Sequence, residues 1–195
     1  MTVINGFEDF YEKLINVVGS ENWRKAQEDF NYCNRILTVG NGGNLAVCDH
    51  GAIDIARLTS KHSSAPGSGI LASSLINDVS HELWVKNWLS ISLRGTTIEN
   101  RDKTMLIGVT SSGYSKNICL ALDLALESGC KALLIAAKEA KIKGPYNTVL
   151  LDVDEYHSSE VLTLSLFYQL IHGAGFTCPS ISESNTRQII SDYAY

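Results

Sequence analysis

Short apolar runs alternate with longer segments of helical periodicity over most of the chain. Five of these runs predict β-strands, at residues 36–39, 70–76, 104–109, 131–137 and 148–153. Apolar residues at helical spacing predict helices at 45–58 and 117–127 between them. This alternation predicts an α/β fold with a doubly wound, five-stranded and mainly parallel sheet flanked by helices. In such a sheet, ligands bind beyond the carboxyl ends of the strands.

Two further helices are predicted ahead of the first strand. One extends from Phe7 to Val18, with Asn5 as a candidate cap, and a more polar one extends from Glu21 to Tyr32. At the other end of the chain, an apolar helix reaches about His172. We expect a single domain over residues 1–175, with the N-terminal helices in 1–33 and a polar tail over 176–195.

The remaining segments are predicted as loops and connectors. Residues 59–69 and 138–147 have loop composition, and 94–103 is a polar connector. The segment 79–93 places Trp84 and Trp88 on one face if it is helical. Such a tryptophan pair is typical of core packing or of a subunit contact.

Composition restricts the class of ligand. The 195 residues carry a formal net charge of -5, and the 16 Lys and Arg form no cluster, which argues against a nucleic-acid surface. An anionic ligand must therefore be held by local groups.

The cysteines and the N-terminus bear on the compartment. The five cysteines show no CxxC spacing, so we expect reduced thiols. The first residues are acidic where a signal peptide would be basic, and no apolar run approaches the roughly 20 residues that span a membrane. These features predict a soluble cytoplasmic protein without a membrane partner.

Two polar loops lie at the ligand-binding edge of the predicted sheet. The first strand leads into the glycine turn 40–44, and the third leads into 110–115, a loop that offers four serine and threonine hydroxyl groups at a helix N-terminus. Hydroxyls and backbone N–H groups in the positive field of a helix can hold phosphate without a lysine. A serine-rich turn that only caps the helix is the alternative interpretation. The position after a buried strand favours phosphate binding.

The same two loops carry a resemblance to a known family. Residues 40–44, GNGGN, are similar to the GNGGS turn of sugar isomerase (SIS) domains, and residues 108–117, GVTSSGYSKN, to their GISTSGNSxN loop. Within these domains the sequence most resembles the phosphoheptose isomerases. The resemblance implies a flavodoxin-like SIS fold, a homo-oligomer, usually a homotetramer, and conversion of sedoheptulose 7-phosphate to an aldoheptose 7-phosphate. It places Asn41, Gly42 and Gly43 against the sugar and Thr110, Ser111, Ser112 and Ser115 against the phosphate.

The helix after the first turn carries His50 and Asp54. Residues four positions apart share a helix face, and His with a carboxylate can ligate zinc or exchange protons. The resemblance implies that His50 is a metal ligand and that Asp54 replaces the catalytic glutamate, so Asp54 is the expected base and a further metal ligand. Zinc is the expected metal, if any is bound.

The last helix departs from the family pattern of a glutamine and a histidine eight residues apart. Depending on register, the glutamine position falls on Ser159 or Glu160, and the histidine position falls on Phe167 or Tyr168. Glu160 is the alternative carboxylate and a candidate substrate ligand. His157 is a candidate replacement for the missing histidine, as are His62 or His81 of another subunit.

Two functions of different classes follow from these residues. The first is a phosphosugar isomerase. The second is a non-catalytic SIS module that binds a sugar phosphate and acts as a regulator or a scaffold. A dinucleotide-binding function is disfavoured because the chain lacks a GxGxxG turn.

Overall fold

The sheet is parallel throughout and contains five strands in the described part of the chain. The computed structural model describes residues 4–67, 69–139 and 144–181. The strands are β1 (Arg35–Val39), β2 (His62–Ser64), β3 (Thr104–Thr110), β4 (Lys131–Ala136) and β5 (Asn147–Leu150). Their spatial order is β2-β1-β3-β4-β5, and every neighbouring pair is parallel. This topology confirms the predicted doubly wound α/β fold.

The helices form one layer on each face of the sheet. They are α1 (Phe10–Val18), α2 (Glu21–Tyr32), α3 (Gly43–Leu58), α4 (Gly69–Asp78), α5 (Trp84–Ser92), α6 (Ile98–Asp102), α7 (Lys116–Glu127) and α8 (Tyr156–Gly173). Helices α1, α2, α3 and α8 pack on one face, and α4, α5 and α7 pack on the other. Among the described residues, no helix has the length and apolar character needed to cross a membrane.

Alternate residues of the central strands belong to the two separate cores. In β3, Ile107 packs with α3 and α8, whereas Leu106 packs with α5 and α7. All seven residues of β3 are buried. A parallel strand covered on both faces needs a continuous apolar sequence, which is why this strand could be recognised from the sequence.

The predicted second strand is wrong. Residues 70–76 lie within α4, and the true second strand is β2, which lies inside the predicted loop 59–69. Helix α4 contains Ala, Leu and Ser as well as two isoleucines, and Leu75 is its one buried residue. Strand β2 lies at the sheet edge and has no apolar pattern. It is defined by backbone pairing with β1, where Ile36 lies opposite Ser63.

Other differences concern boundaries. Helix α1 begins after Asp9, so Asn5 is not its N-cap. Helix α6 lies in the predicted connector, where the Thr97 hydroxyl accepts a hydrogen bond from the Asn100 N–H. Strand β5 ends at Leu150, and Asp152 then adopts a φ of 55°. The last strand is therefore shorter than its apolar sequence suggested.

Two predictions about the chain ends and the tryptophans have different outcomes. Trp84 and Trp88 are both buried in the core under α5, and this confirms the packing interpretation.

The division into a domain over 1–175 and a tail stays a prediction, and most of that tail, residues 182–195, lies outside the described residues. All five cysteines are free thiols, and four of them are buried.

Helices α3 and α8 pack closely against each other at Gly51. A Cβ atom at this position would lie 2.5 Å from Cδ2 of Phe167, a distance well inside van der Waals contact. Phe167 is itself fully buried. The absence of a side chain at Gly51 therefore sets the distance between these two helices.

We expect Gly51→Ala to destabilise the protein. Overpacking of a filled core costs about 1–3 kcal/mol, which exceeds the gain in helix propensity of about 1 kcal/mol or less. Urea unfolding would measure the loss. Gly69→Ala is the matched control, because nothing lies within 4 Å of its added Cβ. Equal stability of the two variants would contradict the close approach of α3 and α8.

Candidate functional site

The two polar loops lie side by side at the carboxyl edge of the sheet. Strands β1 and β3 are neighbours, with Val39 opposite Gly108, so the turns that follow them are adjacent. The side chains of Asn41 and Asn117 exchange two amide hydrogen bonds, of 3.0 and 2.8 Å. Asn41, predicted to contact the sugar, thus also joins the two loops.

The first turn forms the N-terminus of α3. Gly42 is the N-cap residue of α3, and its φ of 56° is one that side chains disfavour. Gly42 has no side chain to cap this helix, and the N–H groups of Asn44 and Leu45 donate to the backbone carbonyl oxygens of Asn41 and Gly42 within the turn. This geometry agrees with the predicted role of Gly42 and Gly43 at the ligand.

Glu160 lies directly over this turn. A Cβ atom at Gly43 would overlap the Glu160 carboxylate, so only glycine permits this contact. Glu160 is half-buried on α8. Within the described part of the chain, its carboxylate makes no hydrogen bond and no ion pair. The structure therefore brings an uncommitted carboxylate to the turn that was predicted to contact the sugar.

Three hydroxyl groups of the second loop gather at the start of α7. The Oγ1 atom of Thr110 lies 2.8 Å from Oγ of Ser115 and 3.3 Å from Oγ of Ser112. Ser115 is the N-cap residue of α7, but its hydroxyl makes no capping bond to the helix. Because the hydroxyls and the uncapped N–H groups share one place, this loop has the composition of an anion site.

The side chain of Ser111 points away from these three hydroxyls and into the protein. Its Oγ lies 3.0 Å from Nδ2 of Asn44 and 2.9 Å from Oγ of Ser159. These contacts connect α3, the loop and α8 in a buried polar network. The predicted phosphate contact of Ser111 stays a prediction that its hydrogen bonds do not favour.

His50 and Asp54 form a hydrogen-bonded unit with a tyrosine from α8. Nε2 of His50 lies 3.2 Å from Oδ2 of Asp54. The Tyr168 hydroxyl donates to the same Oδ2 at 3.2 Å and also lies 3.2 Å from Nε2 of His50. Of the two candidate positions for the family histidine, Tyr168 contacts His50 and Asp54, whereas Phe167 is buried in the core.

The Asp54 carboxylate is buried and fully engaged. Its other oxygen, Oδ1, accepts a 2.8 Å hydrogen bond from Arg57, which lies one turn further along α3. Burial, and then the charge of Asp54 and its hydrogen bond, raise the pKa of the Tyr168 hydroxyl. Tyr168 therefore stays protonated at neutral pH and acts as a hydrogen-bond donor.

The side chains around Asp54 do not fit the implied zinc ion. Zinc sites typically use three or four Cys, His, Asp or Glu ligands, and among the described residues that contact the Asp54 carboxylate only His50 is of that kind. In the described residues, no group of three His, Cys, Asp or Glu side chains could hold a metal ion. Arg57 also neutralises the carboxylate that would bind the cation.

The other candidate histidines are not brought to this unit. Nε2 of His157 lies 3.2 Å from the carbonyl oxygen of Asn5, and its ring stacks on Phe7 at 5.6 Å. The structure thus ties His157 to the N-terminal segment, and its catalytic role stays a prediction that these contacts do not favour. His62 and His81 are exposed, on the edge strand and in the turn before α5.

Sequence reasoning missed Arg57, Asn44 and Asn117, and it named Ser159 and Tyr168 only as alternatives of register. Arg57, Asn44, Asn117, Ser159 and Tyr168 all make hydrogen bonds to predicted site residues. The spacing of Asp54 and Arg57 on one helix face was a readable signal for that ion pair. The contact of Tyr168 depends on how α8 packs, and the sequence left its register open.

Comparison with known proteins connects this site with one group of enzymes. No protein-family model matches the chain. A phosphoheptose isomerase of Syntrophotalea carbinolica is 26% identical over 150 residues, covering 73% of this chain and 75% of the relative. One from Helicobacter pylori is 30% identical over 122 residues, covering 61% of this chain and 62% of the relative. The chain is thus similar in sequence to enzymes named phosphoheptose isomerase.

Solved structures extend the likeness to the whole SIS fold. Phosphoheptose isomerase GmhA from Neisseria gonorrhoeae superposes with a TM-score of 0.68 at 17% identity, covering 85% of this chain and 91% of that chain. The sugar isomerase domain of the RpiR transcription factor from Sphaerobacter thermophilus gives 0.59 at 18% identity, covering 87% of each chain. A phosphoheptose isomerase from Francisella tularensis gives 0.68 at 14% identity, covering 86% of this chain and 93% of that chain. The predicted SIS fold is confirmed.

We expect the contact between Asn41 and Asn117 to couple the two loops energetically. The stability changes of Asn41→Ala and Asn117→Ala should be non-additive, by about 0.5–3 kcal/mol in a double-mutant cycle. Urea unfolding of the single and double variants would measure this coupling. Asn22→Ala, which removes an unrelated hydrogen bond to Thr148, should be additive with Asn41→Ala. Full additivity of Asn41→Ala and Asn117→Ala would contradict a contact that couples the two loops.

Proposed function

We propose that this protein is a phosphosugar isomerase of the phosphoheptose type, acting on sedoheptulose 7-phosphate or a similar ketose phosphate. One observation carries the proposal: the hydroxyls of Thr110, Ser112 and Ser115 meet at the uncapped start of α7, beside the open glycine turn after β1. This arrangement suits a ligand with a phosphate at one end and hydroxyls at the other. The relatives named phosphoheptose isomerase support the choice of substrate class.

Among the described residues, the loop would bind the phosphate without an unpaired basic side chain. Lys116 is the nearest cation in sequence, and its Nζ pairs with Glu82 at 2.8 Å. The loop must therefore rely on hydroxyl and N–H donors and on the helix dipole. These groups are already gathered in one place, so binding does not require them to be assembled.

The two carboxylates of the site suit different tasks. Isomerisation moves a proton between C1 and C2 through an enediol, so it needs a base with an available oxygen. Both Asp54 oxygens accept hydrogen bonds from described residues, whereas Glu160 is uncommitted and lies over the glycine turn. We therefore assign the base to Glu160 and a positioning role to Asp54, in place of the catalytic role that the sequence predicted for Asp54.

The proposal includes a homo-oligomer, either a dimer or a tetramer. Helix α4 and the turn after it expose several large apolar side chains, namely Ile70, Leu71, Ile76, Val79 and Leu83. Apolar surface of this kind is typical of a protein contact. A cytoplasmic location follows from the same proposal, because buried free cysteines suit a reducing compartment.

A non-catalytic SIS module is the second candidate function. The ion pair between Asp54 and Arg57 favours it, because that carboxylate is not free to act as a base. The structural likeness to a sugar isomerase domain from a transcription factor shows that the fold also occurs in a regulator. In this case the phosphate loop would bind its ligand, and Glu160 would only contact the sugar.

We expect Ser115→Ala to weaken binding of sedoheptulose 7-phosphate by about tenfold or more, because a hydrogen bond to a charged group contributes roughly 1.5–3 kcal/mol. Isothermal titration calorimetry would measure the dissociation constant. Ser128→Ala, at the other end of the same helix, is the matched control and should bind normally. Unchanged binding by the Ser115 variant would remove the loop from the proposal.

We expect Glu160→Gln to reduce interconversion of ketose and aldose phosphates by about 10²-fold or more, the usual contribution of a general base. Binding of the sugar phosphate should change little, because glutamine has nearly the same shape. Asp54→Asn should reduce turnover less. NMR detection of the aldose product would measure the rates. Binding without turnover in the unmodified protein would instead support the non-catalytic SIS module.

A further inference from the structure

We propose that Tyr168 makes this site independent of metal: its hydroxyl takes the place of a metal ion between His50 and Asp54. The inference rests on the proposed function, since it concerns how the same site holds its polar groups. The metal in question is zinc, because one imidazole and one carboxylate on the same helix face are two of the ligands that a zinc site needs.

The donor atoms are already satisfied by one another. The distances among the Tyr168 hydroxyl, Nε2 of His50 and Oδ2 of Asp54 are all 3.2 Å, which is a hydrogen-bonding distance. The hydroxyl donates to Asp54 and lies beside His50. It therefore performs the structural task of an ion, which is to hold an imidazole and a carboxylate together.

The charge of the site is also balanced without an ion. Arg57 lies 2.8 Å from the second oxygen of Asp54, and the Asp54 side chain is only 8% exposed. A divalent cation would need to share that single negative charge with a guanidinium group. Its binding would then leave an excess of positive charge in a largely buried place, which is unfavourable.

Packing fixes Tyr168 in this position. The preceding residue, Phe167, is buried against Gly51, so the register of α8 against α3 cannot shift without a clash. Residue 168 must then face His50 and Asp54. Histidine at this position would add a third ligand of the kind that zinc prefers. Because Tyr168 stands at this position, the site lacks the third ligand that zinc needs.

The test measures zinc directly and does not depend on turnover. The unmodified protein, dialysed against zinc and analysed by mass spectrometry, should retain no more zinc than a His50→Ala variant. Tyr168→His should gain about one zinc ion per chain, with a zinc-dependent rise in Tm. That gain should disappear in the Tyr168→His, His50→Ala double variant.

Tyr168→Phe tests whether the Tyr168 hydroxyl is itself a metal ligand, because this variant keeps the ring and removes the hydroxyl. It should bind no zinc. If the unmodified protein bound stoichiometric zinc and lost it in Tyr168→Phe or His50→Ala, Tyr168 would be a metal ligand and the proposal would be overturned. A Tyr168→His variant that gains no zinc would also overturn it. Failure to isomerise any sugar phosphate, with these zinc results as expected, would contradict only the proposed function.

Discussion

The contact between α3 and α8 is the constraint on which the site depends. Because Gly51 has no side chain, Phe167 can lie against the backbone of α3. The two helices then run side by side, and three residues of α8 reach groups of the site. Ser159 joins the buried hydroxyl of Ser111, Glu160 covers the first glycine turn, and Tyr168 reaches Asp54. A single close approach thus positions the polar groups over a distance of several helical turns.

The features that could be predicted from the sequence are those defined by local pattern. The buried strand β3 has a continuous apolar sequence, and the loops after β1 and β3 carry recognisable motifs. Strand β2 could not be found in this way. Its three residues are polar and lie at a sheet edge, so only pairing with a distant segment defines it. Its neighbour α4 was misread because a short apolar run fits either a strand or a helix.

For the site, the sequence identified most positions but not their relations. His50 and Asp54 share a helix face by spacing alone, and the structure has them in contact. Ser111 and Ser115 belong to the same motif, yet one points into the protein and the other lies at the helix start. Tyr168 and Asp54 are separated by 114 positions, so their contact arises from helix packing. Local sequence contains no information about such a contact.

The ion pair between Lys116 and Glu82 has a consequence for how a ligand would arrive. It neutralises the lysine that directly follows the hydroxyl-rich loop, in a chain whose formal net charge is -5. A phosphate ester approaching this loop is therefore not drawn in by a long-range field, and the protein as a whole repels it weakly. Capture depends on random encounter followed by short-range hydrogen bonds, so added salt should speed association rather than slow it.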